Sequence, residues 1–184
     1  DMRRHVEDVM RNERIGMAGG YILNKQHYPM GWNYGFEMNP KKDAWFSQVC
    51  NVIGRQDITD VYRADLLDQL KQANADYHWV YPALLSLQAR HVDWVAEGLF
   101  TIHGDVFKRI NGYDEAMTYH EGQDLARRVR DQALEVVFDP NFSAVHQERQ
   151  VRSERRASDF TESQFYFFQK HWGMSRDVFD HLYL

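Results

Sequence analysis

The sequence is poor in cysteine and proline and has no long apolar run, and each scarcity excludes a class of protein. Its 184 residues include one cysteine, Cys50, so an internal disulfide framework is excluded and a reducing compartment is favoured. Four prolines and eleven glycines are too few for a collagen-like or low-complexity chain. No run approaches the roughly 18 uninterrupted apolar residues of a membrane-spanning helix. Because there is also no internal repeat or linker-like tract, residues 1–184 are expected to form a single unit.

An excess of positive charge is also absent. The chain has 22 Lys and Arg against 27 Asp and Glu, a net charge of −5, so no nucleic-acid partner is expected. The acidic balance and the lone cysteine predict a cytoplasmic location, and attachment to the membrane face through other parts of the protein stays open. Aromatic residues are abundant at 14%, and surfaces that stack against sugars or aromatic ligands are one use for them.

Strand-like and helical segments alternate along the chain, which predicts an α/β domain. The patterns predict a helix directly after Asp1, with Val6, Val9 and Met10 along one face. They also predict helices over 64–73, 104–110, 121–132 and 159–172, and strands over 15–22, 92–102, 134–138 and 143–146. Residues 24–46 are aromatic and rich in turn formers. Glycines in the first strand predict positions where the backbone approaches another element closely. Asp139 and Pro140 predict the end of a strand.

Two carboxylates stand out at the start of the helix predicted over 121–132. Glu121 and Asp124 are three residues apart and therefore share roughly one face of the helix. The positive end of the helix dipole favours their ionised forms, which a general base requires. In the alternative interpretation, these acids cap the helix and pair with Arg127 or Arg128.

Five segments in a fixed order resemble the second half of family 2 glycosyltransferases of the GT-A fold. They are residues 98–115 (GLFTIHGDVFKRINGYDE), 119–129 (YHEGQDLARRV), 134–140, 144–146 and 168–173. The strongest part of the resemblance covers residues 95–148. It implies an α/β, GT-A-like three-layer arrangement with a mixed, mostly parallel sheet.

The resemblance implies an inverting transferase that moves a sugar from a nucleotide-diphosphate-sugar donor to a glycan, lipid or protein acceptor. Its catalytic base would be Glu121 or Asp124. The family frequently has an acid where this chain has Gly122, and it often uses that acid as the base. A non-catalytic domain that binds a glycan or a partner protein is therefore the alternative. An epimerase-type enzyme would need a dinucleotide fingerprint, which the sequence lacks.

The resemblance also implies a divalent cation, Mn²⁺ or Mg²⁺, held by Asp1 and His146. A ligand set of imidazole nitrogen and carboxylate oxygen suits these ions better than it suits a structural zinc ion. Asp1 would be the last residue of an Asp-x-Asp motif. The chain is then expected to be the acceptor- and metal-side portion of a larger domain, with the nucleotide-binding half upstream.

Substrate contacts are predicted at Gly98 and at Arg149 and Arg152, which belong to an arginine-rich run that continues to Arg155 and Arg156. Arginines bind phosphate oxygens in bidentate fashion, so this run predicts a loop that clamps the donor diphosphate. A solvated charged surface is the alternative. Four aromatic residues are candidates for sugar stacking or for a lid: Trp32, Tyr34, Phe36 and Trp45. A role in the core, or in subunit contacts of a homo-oligomer, is equally open for them.

Overall fold

The computed structural model describes residues 2–29, 33–37, 39–53, 55–72, 88–147 and 157–184. Within these ranges the chain forms seven helices and six strands. In chain order they are α1 (Met2–Met10), β1 (Ile15–Leu23), β2 (Tyr34–Gly35), α2 (Pro40–Ile53), α3 (Asp60–Gln72), β3 (Arg90–Val92), β4 (Trp94–Val95), β5 (Phe100–Ile102), α4 (Gly104–Arg109), α5 (Glu121–Arg130), β6 (Glu135–Val145), α6 (Ala157–Trp172) and α7 (Arg176–Tyr183).

The main sheet has four strands in the order β3-β6-β1-β5, and a second sheet pairs β2 with β4. The predicted α/β class is confirmed, and so is a mixed sheet. The expectation of a mostly parallel sheet is wrong, because among the described strands only β1 and β6 run parallel. β5 pairs antiparallel with β1, and β3 pairs antiparallel with β6. β3 and β5 are the short edge strands of the described sheet, and an antiparallel edge strand beside parallel central strands is common in mixed sheets.

The main sheet is covered on both faces. On one face, Leu125 and Val129 of α5 pack in a buried cluster with Met17 of β1 and with Val136 and Phe138 of β6, as their helical spacing predicts. On the other face, α1 packs against a smaller cluster formed by Ile15, Ala18 and Val137, with its own Val9 and Met10 partly buried there. The long, parallel β1–β6 pair is thus the centre of the fold.

Two glycines in β1 allow the close approaches that the sequence predicts. A Cβ atom on Gly19 would lie 2.5 Å from Cβ of Val95 in the second sheet. A Cβ atom on Gly20 would collide with the carbonyl oxygen of Phe142 in β6. Side chains at these two positions would therefore push apart the strands that lead to the end of the sheet.

β6 is a single strand, so the predicted interruption at Asp139 and Pro140 is wrong. The register shows the physical reason: Gly19 pairs with Phe138, and Tyr21, two residues later, pairs with Ser143. The extra residues of β6 form an irregularity opposite Gly20. Proline has no N–H to donate and is tolerated in a strand at such a bulge.

Further differences concern the remaining elements. The strand-like stretch 92–102 begins with the last residue of β3 and then contains β4 and β5, with turns between the strands. Helix α2 occupies part of the region predicted to be turn-rich, and α7 follows the last predicted helix. Helices α2 and α3 share one hydrophobic cluster, and α6 and α7 share another. In the described ranges, no helix is both long enough and apolar enough to cross a membrane.

Candidate functional site

The N-terminus of α5 is held by a carboxylate from another segment. Glu121 is the first residue of α5, and the residue before it, His120, has a left-handed backbone and makes no capping hydrogen bond with its side chain. The backbone N–H of Gly122 instead donates to Oε1 of Glu97 at 2.8 Å. Glu97 lies in the turn between β4 and β5, so this contact joins residues 25 positions apart.

Asp124 lies on the same helix but is fully buried. Its carboxylate accepts a hydrogen bond from Nε of Arg128 at 2.8 Å, lies 2.7 Å from Nζ of Lys170 and lies 2.8 Å from Nε2 of His171. Burial raises the pKa of Asp124, and the bonds from His171, Lys170 and Arg128 more than offset it, so that its pKa falls to about 2. This environment matches the alternative interpretation, in which Asp124 pairs with an arginine of its own helix.

Helix α6 anchors the segment that leads into α5. Lys170 also binds Asp114, at 2.7 Å, and Tyr166 donates to the same carboxylate at 3.2 Å. The Lys170 hydrogen bond lowers the pKa of Asp114 most, although burial partly opposes it. Two anionic side chains around one lysine fix α6 against both the loop before α5 and the helix itself.

The C-terminal half of α5 is fixed by a second group of charges. Arg127 and Arg130 both bind the carboxylate of Glu37, and Arg130 also lies 3.4 Å from Asp93. The guanidinium of Arg127 stacks over the ring of Trp172, 4.7 Å from its centre. Both ends of α5 are therefore held by side chains from other elements, which gives Glu121 a rigid support.

Gly98 and His146 lie at the same end of β1. A Cβ atom on Gly98 would lie 2.6 Å from Cδ1 of Ile22, and Gly98 is exposed in the turn before β5. On the other side of β1, the backbone N–H of His146 donates to the carbonyl of Leu23 at 2.7 Å. The structure thus brings the turn that carries Gly98 and the exposed His146 to the C-terminal end of β1, and the same turn contacts the start of α5 through Glu97.

Tyr113 lies near both glutamates. Its pKa is raised by burial first, and then by the negative charges of Glu97 and Glu121. The loop that carries it is attached to α5, because Nη1 of Arg128 donates to the carbonyls of Ile110 and Gly112 at 2.6 and 2.7 Å. A partly exposed phenol and two carboxylates therefore surround the N-terminus of α5.

The predicted metal ligands are only partly described. His146 is exposed at the end of β6, and Asp1 lies outside the described residues. In the part of the chain that is described, no three His, Cys, Asp or Glu residues come together as a metal-binding group. The predicted cation site, held by Asp1 and His146, therefore stays a prediction.

The other predicted contacts divide into two groups. Arg149, Arg152, Arg155, Arg156 and Trp32 lie outside the described residues. Tyr34 is buried in the main core and Phe36 packs at its edge, so their predicted alternative, a core role, is confirmed. Trp45 is half-buried beside an open groove of about 670 Å³ between α2 and α3, which is lined also by Asn39, Lys41, Lys42, Gln69 and Gln72.

Glu97 is the residue at this site that the sequence does not identify. It stands directly before Gly98, and its only sequence signal is a glycine at position 122. A Cβ atom there would lie 2.6 Å from Cγ of Glu97 and 3.0 Å from its Oε1. The pairing arises from the fold, since nothing in a 25-residue separation predicts it.

Comparison with known proteins adds no identity. No family model, no curated protein and no solved structure matches this chain.

Proposed function

We propose that this chain is the acceptor-side part of an inverting, metal-dependent glycosyltransferase. The observation that carries the proposal is the convergence of Glu121, the turn bearing Gly98, and His146 around the C-terminal end of β1. Ligand sites of α/β proteins commonly lie beyond the carboxyl ends of parallel strands, and β1 and β6 are such a pair. The ordered motifs over residues 95–148 supply the reaction class.

The proposed reaction requires one proton acceptor from this chain. The acceptor's hydroxyl oxygen forms a bond to the anomeric carbon on the face opposite the diphosphate. The bond from that carbon to the diphosphate oxygen breaks, and its electron pair leaves with the diphosphate. The hydroxyl proton passes to a carboxylate at the N-terminus of α5, where the sequence predicts Glu121 or Asp124 and the burial of Asp124 favours Glu121.

Several features of the described residues suit this role. The helix N-terminus contributes a positive potential that favours an ionised carboxylate. The buried ion pairs of Asp124 and the bonds from α6 hold the first turn of α5 in place. A divalent cation bound by His146 with Asp1 and the donor would neutralise charge that develops on the diphosphate.

An assay of the full-length natural protein tests the proposal. UDP-glucose, UDP-N-acetylglucosamine and GDP-mannose are supplied separately with Mn²⁺ or Mg²⁺ and a panel of saccharide acceptors, and nucleoside diphosphate release is measured. We expect metal-dependent release with at least one donor, and NMR of the product should show inversion at the anomeric carbon. Absence of release with every donor, acceptor and metal would contradict an enzymatic role.

A non-catalytic binding domain is the second candidate, and Gly122 is the observation that favours it. The family acid is absent from that position, and Asp124 is committed to three partners inside the protein. Saturable binding of a saccharide by calorimetry, without nucleoside diphosphate release from any donor, would select this candidate.

A further inference from the structure

The space beside Gly122 is filled by a carboxylate from a different segment. Cγ and Oε1 of Glu97 lie 2.6 and 3.0 Å from the place where a Cβ atom of residue 122 would stand, and its Cδ lies at 3.3 Å. A side chain at position 122 and the present conformation of Glu97 therefore exclude each other. An aspartate at 122 would direct its own carboxylate into the volume that Glu97 now occupies.

The carboxylate of Glu97 is held in position by a hydrogen bond. Its Oε1 accepts the Gly122 N–H at 2.8 Å, at the positive end of α5. A charge-assisted bond to a backbone N–H fixes both the place and the orientation of the carboxylate. Glu97 is partly exposed, and the next residue, Gly98, is exposed in the turn before β5.

The remaining acids at the site are less suitable. Asp124 is fully buried and shared among Arg128, Lys170 and His171, which leaves it no access to an acceptor. Glu121 stands next to Glu97, and both charges act on the phenol of Tyr113. Glu97 reaches the first turn of α5 from another segment, accepts the Gly122 N–H and fills the space beside Gly122.

On the basis of the glycosyl transfer proposed above, we propose that Glu97 is the general base and replaces the acid that is missing at Gly122. The hydroxyl proton of the acceptor passes to the Glu97 carboxylate as the new glycosidic bond forms and the diphosphate leaves with its electron pair.

Matched variants of the full-length protein separate a base from a helix cap. Glu97→Gln keeps the shape and the acceptor for the Gly122 N–H but removes the basicity, so we expect kcat to fall by ~10²–10⁴-fold with an unchanged melting temperature. Glu121→Gln should lose much less. Glu13→Gln is the control, because Glu13 is exposed in the turn before β1, at the opposite end of that strand.

A double variant tests directly whether the carboxylate of Glu97 takes the place of an acid at position 122. Glu97→Ala removes Cγ and the carboxylate, and Gly122→Asp then has room to supply an acid from the helix. We expect the double variant to regain turnover that Glu97→Ala alone has lost. A folded double variant that regains no turnover would show that Glu97 does not replace an acid at position 122.

The outcomes distinguish the two levels of the proposal. Full turnover in Glu97→Gln, or a larger loss in Glu121→Gln, would overturn the role of Glu97 and leave glycosyl transfer intact. Absence of turnover in the unaltered protein with every donor would instead overturn the transferase function, and the base role with it.

Discussion

The hydroxyl of Ser163 makes two hydrogen bonds with the backbone of Tyr119. Its Oγ accepts the Tyr119 N–H at 2.9 Å and donates to the Tyr119 carbonyl at 2.6 Å. Ser163 is buried on α6, and Tyr119 lies two residues before the start of α5. One side chain therefore satisfies both polar backbone groups of the residue that leads into the candidate site.

Replacement of Ser163 tests how strongly α6 holds this segment. Ser163→Ala leaves the half-buried N–H and carbonyl of Tyr119 without this partner, so we expect a loss of about 1–3 kcal/mol in the free energy of unfolding. Urea titration followed by circular dichroism measures it. Ser47→Ala is the control, since Ser47 is exposed on α2 and its change should be close to zero. Equal stability of the two variants would show that α6 does not hold Tyr119 in this way.

Asp124 is expected to be a structural residue rather than the base. Asp124→Asn keeps the side-chain volume but leaves Arg128 and Lys170 without their common anion. Removal of one partner from a buried ion pair costs about 3–5 kcal/mol, so a large loss of stability is expected in urea titration. If the variant keeps its stability and loses turnover alone, Asp124 acts in the chemistry and the assignment to Glu97 or Glu121 is wrong.

The same carboxylate makes stability depend on acid pH. The pKa of Asp124 is about 2 in the folded protein against 3.8 as its ordinary value. Between these values the unfolded chain binds more protons, so the stabilisation is complete above pH 4 and is lost as pH falls towards 2. The expected loss is on the order of 2 kcal/mol. Urea midpoints measured across this range should fall in the unaltered protein and change less in Asp124→Asn.

His120 is expected to act at a higher pH. Burial against Phe160 and Phe167 lowers its pKa to about 4 from 6.5, although a hydrogen bond with Gln123 partly opposes the shift. The unfolded chain then binds more protons between pH 6.5 and 4, and stability falls by about 3 kcal/mol as pH decreases through that range.

A matched pair of variants checks the assignment to His120. Asparagine tolerates a left-handed backbone, so His120→Asn should fold and lose most of the pH dependence between 6.5 and 4. His27→Asn is the control, because His27 has the same φ of 63° but is exposed. Persistence of the full dependence in His120→Asn would assign it to another group.

Local patterns predict the fold where one face of an element is buried. The spacing of Leu125 and Val129 predicts α5, and the short apolar run with glycines predicts β1, because each signal is set by neighbours in the sequence. The start of α2 lies in a region that its composition indicates to be turn-rich, although a local helix signal is present. Asn39 caps the helix by accepting the Lys42 N–H at 3.1 Å, and Pro40 is the first helical residue. Asparagine before proline marks a helix start as well as a turn.

The direction of strands and the pairing of site residues are not local properties. The bulge that carries Pro140 lies opposite Gly20, which has no Cβ atom to collide with the Phe142 carbonyl, and neither Gly20 nor Pro140 alone indicates it. The sequence identifies Glu121 and Asp124 as one pair of acids, whereas the fold buries Asp124 and brings in Glu97. The sequence does not show which of these acids is buried. The fold places Asp124 against Arg128, Lys170 and His171 and leaves Glu97 partly exposed.

The contact between Glu97 and Gly122 can be tested through stability, without any assay of activity. Gly122→Ala introduces a Cβ atom 2.6 Å from Cγ of Glu97, so one of the two must move. Overpacking of this kind typically costs 1–3 kcal/mol, on the order that urea titration resolves easily.

A double-mutant cycle isolates the contact. Glu97→Ala removes the side chain that the new methyl group would meet, and alanine is a better helix former than glycine by about 1 kcal/mol. In the Glu97→Ala background we therefore expect Gly122→Ala to be neutral or stabilising, although it destabilises the unaltered chain. The change of sign gives a coupling energy that two distant sites would not show. Equal effects of Gly122→Ala in both backgrounds would mean that Glu97 does not occupy the space beside Gly122, and the assignment of Glu97 as the replacement acid would fall with it.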